Sequence, residues 1–190
     1  MTRVGALLAA AAALVMSAQS ASAQLDMRDI MGGGPNFFGG GGTNPVPRSN
    51  VNFVGNYAPG TIIVSTSERR LYLVTGNGTA IRYGIGVGRD GFRWSGVKRI
   101  TAKKEWPSWT PPAQMLRRRP DLPRHMAGGP DNPLGARAMY LGSTLYRIHG
   151  SNEPETIGQA VSSGCFRMTN EDVKDLYDRV GVGTTVIVKN

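Results

Sequence analysis

Short runs of β-branched and aromatic residues, separated by turn signals, dominate the sequence from Pro59 onward. Residues Thr61 to Val64 and Leu71 to Val74 are typical of strands. The Gly-Asn-Gly step at 76–78 is a strong hairpin signal and indicates a third strand over 79–87. Four further segments have the same character: 97–106, 138–141, 145–149 and 184–188. This pattern predicts a mostly β domain.

Helical signals are few and short. One helix is predicted near the end of the chain, where Asn170 is a suitable cap and Gly181 a suitable stop. Its hydrophobic residues recur with helical spacing: Val173, Leu176, Tyr177 and Val180. Shorter helical turns are predicted over Pro112 to Arg118 and over Glu155 to Val161. The predicted fold class is therefore mostly β with short helices.

The N-terminal residues have the parts of a secretory signal: a cationic start at Arg3, an apolar run from Val4 to Met16, and an Ala-Ser-Ala cleavage pattern at 21–23. The apolar run has 13 residues, fewer than the roughly 20 that a membrane-spanning helix needs. We therefore predict a signal peptide over 1–23 and an exported protein without a transmembrane anchor. Residues 24–57 are rich in Gly, Pro and Asn and are predicted to form a flexible linker. The folded domain is then 58–190.

The chain is basic, with a net charge of +9. Its cationic residues cluster at Lys98-Arg99, Lys103-Lys104 and Arg117 to Arg119. No recognisable nucleic-acid module accompanies these clusters, and an export signal argues against a nucleic-acid partner. An anionic cell wall or membrane surface is the favoured partner. The alternative is that the clusters are solvated faces that only keep the protein soluble.

Cys165 is the only cysteine in the sequence, so a disulfide framework is excluded. A single thiol kept in an oxidising compartment indicates a function, although a buried small hydrophobic residue is the alternative. A catalytic thiol needs a base or a positive environment, and His149 ends a strand-like run 16 residues earlier. Gly164 allows backbone N–H groups to approach a reacting carbonyl, as in an oxyanion hole. Two histidines and one cysteine without ligand-like spacing predict neither a metal site nor a cofactor.

The His149-Gly150 step, followed by Ser163-Gly164-Cys165-Phe166-Arg167-Met168, resembles the signature of the L,D-transpeptidase (YkuD-like) catalytic domain. Segments 106–112 and 128–135 resemble its periplasmic, ErfK-like members, and the resemblance covers roughly 58–190. It implies a β-sandwich with the active site in a cradle against it. It also implies a periplasmic, wall-associated enzyme that acts on the stem peptides of peptidoglycan.

In that family, a cysteine attacks the amide after the third stem residue, usually meso-diaminopimelate, and releases the terminal D-alanine. The resulting thioester passes its acyl group to an amine, and carbapenems acylate the same sulfur. The resemblance assigns the nucleophile to Cys165 and the general base to His149. Because Gly150 has no side chain, we expect a backbone carbonyl to orient the second ring nitrogen of His149.

Other positions have two interpretations each. Arg167 either holds a substrate carboxylate or shapes the pocket, since its planar guanidinium suits bidentate binding. Ser163 either donates to the substrate or fixes the turn. His125, in a loop expected to border the site, is a rim residue and a weaker base candidate. Trp109, with Trp106, either lines a substrate groove or packs in a core.

The sequence leaves several reactions open: 3-3 cross-linking, attachment of a protein to the wall, exchange of a D-amino acid, and hydrolysis as an L,D-carboxypeptidase. These differ in the acceptor and not in the nucleophile. A non-catalytic wall-binding protein is the alternative from another class. Sortases have a much longer separation from His to Cys, and papain-like hydrolases place Cys before His, so neither matches this order.

Overall fold

The structure is a computed structural model that describes residues 44–190. The predicted signal peptide and the predicted linker as far as residue 43 lie outside the described residues. The described part contains eleven strands: β1 Ser49–Asn52, β2 Ile62–Ser65, β3 Arg70–Gly76, β4 Thr79–Gly84, β5 Val87–Gly88, β6 Gly96–Glu105, β7 Arg137–Leu141, β8 Arg147–His149, β9 Ala160–Ser162, β10 Phe166–Arg167 and β11 Thr185–Lys189. It also contains helices α1 Ala113–Arg118 and α2 Asn170–Arg179 and a 3₁₀ turn at Pro154–Thr156.

Nine of these strands form one sheet in the order β1-β4-β3-β2-β11-β6-β7-β8-β10, and β5 pairs with β9. The last strand lies in the middle of the large sheet, parallel to β2 and antiparallel to β6. One hydrophobic core contains residues from both halves of the sheet, such as Ile62 and Leu73 from one half and Met139 and Ile148 from the other. The two halves therefore enclose a common core, which is the arrangement of a sandwich.

The hairpin between β3 and β4 confirms the prediction made from the Asn-Gly step. Asn77 and Gly78 connect the two strands, and both have positive φ, 52° and 70°. Two consecutive positive φ values are the mark of the tight turn that suits the twist of a hairpin. The predicted third strand, 79–87, is shorter than expected. It ends at Gly84. Beyond it, Gly86 forms an isolated bridge with Arg167, and β5 pairs with β9 instead of continuing β4.

Strand β1 lies inside the segment that composition predicts to be a linker, 24–57. Its residues pair with β4 in antiparallel register, from Ser49 opposite Arg82 to Asn52 opposite Thr79. Before it, Asn44 and Arg48 contact the Asp172 carboxylate on α2, at 2.6 Å and 3.2 Å. The prediction of a linker is therefore wrong for 49–52, where a polar strand gains its order from its neighbours rather than from its own composition.

Helix α2 buries the predicted hydrophobic stripe, with Val173 and Leu176 fully buried against the main core. The cap is one residue earlier than predicted: the hydroxyl of Thr169 accepts a hydrogen bond from the backbone N–H of Asp172, at 3.2 Å. Asn170 is the first helical residue instead. Its side-chain oxygen accepts a hydrogen bond from the backbone N–H of Ala136, at 2.8 Å.

The two other predicted helical turns have different outcomes. The turn over Pro112 to Arg118 is confirmed as α1, with Pro112 at its cap position. The turn over Glu155 to Val161 is wrong beyond its start, because only Pro154–Thr156 is helical and β9 follows. The chain changes direction at Gly158, which has a φ of 87°, and the Gln159 carbonyl then accepts a hydrogen bond from the N–H of Val87.

A second, smaller core supports the segment around α1. Trp109, Leu122 and Leu134 are buried together, and Met115, Leu116 and Met126 pack against them. This cluster is separate from the main core, so the excursion between β6 and β7 has its own hydrophobic support. Within residues 44–190, none of the helices has the length and apolar character required to cross a membrane.

Candidate active site

The parallel pair of β8 and β10 brings the histidine and cysteine motifs together. In its register, Ile148 lies opposite Phe166 and His149 opposite Arg167. Side chains alternate between the two faces of a strand. Ile148 and Phe166 are fully buried in the main core, so His149 and Arg147 project to the opposite face, where a cavity begins.

His149 is buried and oriented by its own neighbour. Its Nδ1 lies 2.6 Å from the carbonyl oxygen of Gly150. A carbonyl can only accept, so Nδ1 carries the hydrogen and Nε2 keeps a lone pair that can take a proton. The expectation that a backbone carbonyl orients the ring is confirmed. Burial, followed by the positive charge of Arg167, lowers the pKa of His149 to about 3.

Cys165 is half-buried and lies immediately before β10. Continuing the β8–β10 register by one residue places it beside Arg147. Its Sγ lies 3.6 Å from the carbonyl oxygen of Leu145. Burial raises the pKa of the Cys165 thiol, while the charge and hydrogen bonding of Arg147 oppose that rise. The resting pair is therefore a neutral thiol and a neutral imidazole.

A tight turn presents Cys165 to the cavity. The Ser162 hydroxyl accepts a hydrogen bond from the N–H of Gly164 at 3.1 Å and donates one to the carbonyl of Cys165 at 2.6 Å. Gly164 has a φ of 105°, and its carbonyl accepts a hydrogen bond from Trp94 Nε1 at 2.8 Å. Trp94 in turn stacks on Tyr146, with ring centroids 4.6 Å apart. Aromatic packing by Trp94 and Tyr146 thus holds the turn, and Tyr146 also lines the cavity.

The cavity has a volume of about 480 Å³, within the range of small-ligand sites. One wall is β8 and the cysteine turn, and the facing wall is α1 with the smaller core. Its lining residues are Phe92, Trp109, Pro112, Gln114, Met115, Arg118, Pro133, Leu134, Thr144, Leu145, Tyr146, Arg147, His149, Ser162, Ser163, Cys165 and Arg167. Cys165 and His149 therefore share one cavity with three arginines and without a carboxylate in its lining.

Two predictions about the cysteine turn change. Ser162, and not Ser163, fixes the turn, while the buried Ser163 hydroxyl lines the cavity and has no hydrogen-bond partner among the described residues. The N–H of Gly164 is already donated to Ser162, so in this conformation it does not serve as an oxyanion donor. Gly164 is needed for another reason. An added Cβ would lie 2.6 Å from a ring carbon of Tyr146.

Arg167 lines the cavity but is buried in an ion pair. Its Nη1 lies 3.0 Å from a carboxylate oxygen of Glu153, and both side chains are only 7% exposed. Burial raises the pKa of Glu153 to about 7, against the opposing charge of Arg167. This arrangement favours the interpretation that Arg167 shapes the pocket, because its guanidinium already has a carboxylate.

The remaining predicted residues separate into lining and non-lining positions. Trp109 packs in the smaller core, as one of its two interpretations expects, and it also lines the cavity. Trp106 is outside the lining, with 41% of its surface exposed. His125 is exposed, lies 3.1 Å from the Thr110 hydroxyl, and does not line the cavity. Gly150 supplies the carbonyl that orients His149, and an added Cβ would lie 2.3 Å from Asn170 Oδ1.

The sequence interpretation missed Arg147, Glu153 and Trp94. Arg147 could have been predicted from the sequence. Residues two apart on a strand lie on the same face, and Arg147 precedes His149 by two positions. Glu153 and Trp94 reach the site only through tertiary packing, and nothing local in the sequence marks them. Across residues 44–190, no three His, Cys, Asp or Glu side chains lie close enough to hold a metal ion.

Comparison with known proteins assigns the family. The model of the L,D-transpeptidase catalytic domain, YkuD, matches residues 59–188. The chain belongs to the L,D-transpeptidase family. Among curated relatives of this family, the probable L,D-transpeptidase ErfK/SrfK of Escherichia coli (strain K12) is 40% identical over 134 residues, which cover 66% of this chain and 42% of that protein. The chain thus spans less than half the length of such relatives.

Solved structures agree with the L,D-transpeptidase fold. L,D-transpeptidase 3 from Mycobacterium tuberculosis, in complex with a faropenem-derived adduct, has a TM-score of 0.52 at 16% identity and covers 68% of this chain and 60% of its own. The crystal structure of a probable carnitine operon oxidoreductase from Brucella melitensis is 50% identical, with a TM-score of 0.51, and covers 75% of this chain and 93% of its own. The oxidoreductase name describes that protein alone.

Proposed function

We propose that this chain is an exported L,D-transpeptidase that cleaves and re-forms amide bonds in peptidoglycan stem peptides, with Cys165 as nucleophile and His149 as general base. The single observation that carries the proposal is the shared cavity of Cys165 and His149, in which Gly150 holds the ring in the tautomer that can accept a proton. Family membership supports the substrate class. The N-terminal signal pattern supports a periplasmic, wall-associated location.

In the proposed scheme, acylation has two stages: attack by the sulfur with transfer of its proton, and then loss of the leaving amine. As Cys165 Sγ attacks the carbonyl carbon after the third stem residue, its proton passes to Nε2 of His149. The C–N bond then breaks, the imidazolium returns the proton to the leaving amine of D-alanine, and a thioester remains. In deacylation, an incoming amine attacks the thioester carbon and loses a proton to His149. The C–S bond then breaks as the new C–N bond is completed, and the imidazolium returns the proton to the sulfur of Cys165.

A neutral resting pair suits this scheme. Because the pKa of His149 is lowered and that of the Cys165 thiol is raised, a thiolate does not form before substrate arrives. The thiol is thereby less exposed to oxidants in an oxidising compartment, since the thiolate is the form that oxidises. Proton transfer then accompanies attack instead of preceding it.

The test is mass spectrometry of muropeptides after incubation of peptidoglycan with the full chain and with Cys165→Ala. We expect the wild type to release D-alanine and the variant to release none, because the sulfur is the covalent centre. The identity of the new product separates a 3-3 cross-link, a D-amino acid exchange product and a hydrolysed stem. Equal product from both proteins would reject Cys165 as nucleophile.

Acylation by a β-lactam is a second test of Cys165 as the nucleophile. One relative in structure carries a faropenem-derived adduct, and we expect a carbapenem to add its mass to Cys165. A wall-binding protein without catalysis would retain peptidoglycan but would give neither a product nor an adduct.

A further inference from the structure

The cavity carries positive charge that the reaction scheme does not use. Arg118, Arg147 and Arg167 line it, and neither Asp nor Glu does. Arg167 is paired with Glu153 at 3.0 Å. For Arg118 and Arg147, no ion pair occurs within the described part of the chain. The site is therefore suited to an anionic ligand.

Arg147 is the better placed of these two arginines. It shares its strand face with His149 and lies beside Cys165 in the β8–β10 register. Its guanidinium carbon lies 5.2 Å from the ring centroid of Tyr140, its partner across the β7–β8 pair. A cation held over a cross-strand aromatic ring has a restricted orientation. Arg118, in contrast, is exposed at the rim on α1.

Arg147 also has unused hydrogen-bonding capacity. Its Nε is buried, and it makes no hydrogen bond with any of the described residues. Such a buried donor without a partner is costly unless a ligand supplies the acceptor. The guanidinium group matches a carboxylate through two parallel N–H donors.

The donor of the proposed reaction presents a carboxylate at the corresponding place. The amino acid that leaves has a free α-carboxylate three covalent bonds from the carbon that Cys165 attacks. We propose that Arg147 binds this terminal carboxylate, and that Arg147 thereby selects donors whose stem ends one residue after the scissile amide. This inference rests on the proposed function. It assigns to Arg147 the carboxylate contact that the sequence alone allowed for Arg167.

The test compares two synthetic donors with the full chain: a stem tetrapeptide with its terminal D-alanine as the free acid, and the same peptide as the primary amide. Single-turnover acylation of Cys165 is followed by the mass of the protein. We expect the wild type to prefer the acid by about 10- to 100-fold, the range of one charged hydrogen-bonded pair. In Arg147→Gln that preference should fall to within about threefold, chiefly through slower acylation by the acid.

Two variants make the comparison specific. Arg147→Lys retains the charge without the two parallel donors and should recover part of the preference for the acid. Arg99→Gln removes an exposed arginine of β6 outside the cavity and should keep the full preference. Thermal unfolding of each variant checks that the fold is retained.

Three outcomes would overturn the inference. The first is a wild type that accepts both donors equally while still forming the thioester, which would leave the proposed function intact. The second is an equal loss of acylation for both donors in Arg147→Gln, together with slower alkylation of Cys165. That result would show that Arg147 affects the reactivity of the Cys165 thiol and does not bind the donor carboxylate. The third is no acylation by either donor or by a carbapenem, which would reject the proposed function as well.

Discussion

His149 differs from an ordinary histidine because its ring is buried between two arginines and its own backbone. Arg167 lies opposite it in the β-pair, Arg147 lies two residues before it, and Gly150 accepts its Nδ1 hydrogen. Burial disfavours an imidazolium most, and the positive charges of Arg167 and Arg147 disfavour it further, so the pKa of His149 is lowered. His149, the proposed base, is therefore neutral near neutral pH, and in the proposed reaction it becomes charged only when it takes the proton of Cys165.

This assignment predicts different effects for the two histidines. His149→Ala should lower the rate of Cys165 acylation by about 10² to 10⁴-fold, the usual contribution of a general base. His125→Ala should stay within about tenfold of the wild type, because His125 is exposed and outside the cavity lining. The measurement is the single-turnover rate at which one donor acylates Cys165 in each variant and in the wild type. The roles would be reversed if His125→Ala were the slower variant.

The lowered pKa of His149 and the raised pKa of Cys165 predict the pH dependence. Lowering the pH from 7 to 5 should not reduce acylation through protonation of His149, because its pKa of about 3 lies below that range. Burial raises the pKa of the Cys165 thiol, so its rate of alkylation by iodoacetamide should rise only at a pH higher than that at which an ordinary cysteine ionises. Rates of both reactions from pH 5 to 10 test this. A plateau of alkylation at neutral pH would instead indicate a thiolate–imidazolium pair.

The turn between β9 and β10 carries Cys165, the proposed nucleophile. Its conformation depends on Gly164, whose φ of 105° few other residues adopt, and on the Trp94–Tyr146 stack that packs beside it. A change in this turn moves Cys165 relative to a histidine that is fixed on β8. The position of the sulfur is thus set by packing around the turn.

Gly164→Ala tests the turn, with Gly183→Ala as a matched control. Both glycines have positive φ, 105° and 95°, but an added Cβ meets Tyr146 at 2.6 Å in the first case and nothing within 4 Å in the second. We expect both variants to lose about 1–2 kcal/mol of unfolding free energy through backbone strain. Only Gly164→Ala should also lose acylation, by at least about tenfold, because misplacement of a reacting group is costly. Similar acylation rates in the two variants would argue against this role of the turn.

The elements differ in how far local sequence predicts them. Strands with β-branched runs, such as β2 and β11, and the Asn77-Gly78 hairpin follow from local patterns. Strand β1 does not, because its residues are polar and its order comes from pairing with β4. The short strands β5, β9 and β10 have too few residues to show a period, so local sequence does not reveal the pairing that joins His149 to Cys165. That proximity was available only through the family resemblance.

At the scale of the whole molecule, β11 joins the two halves of the sheet. It pairs with β2 on one side and β6 on the other, and it buries Val186 and Val188 in the common core. Removing residues 185–190 would leave two open sheet edges and would take both valines out of the core. The truncated chain is therefore expected to lose its cooperative fold.

The measurement is thermal unfolding followed by circular dichroism, with removal of Asn190 alone as the control. The control deletes one hydrogen bond, from the Thr66 hydroxyl to Asn190 Oδ1, and should cost about 1 kcal/mol. The longer truncation should show no cooperative transition. A transition near the wild-type temperature in the longer truncation would contradict the role assigned to β11.

The position of β11 also sets the order of events during synthesis. A ribosome releases this strand after every other strand of the sheet, and pairing over such long sequence separations is slow. We therefore expect the two halves of the sheet to close on their core only after residues 185–189 have been made. If the chain is exported unfolded, as the proposed signal peptide implies, we expect Cys165 to acquire its pocket only after export, on the side of the membrane where the proposed substrate lies.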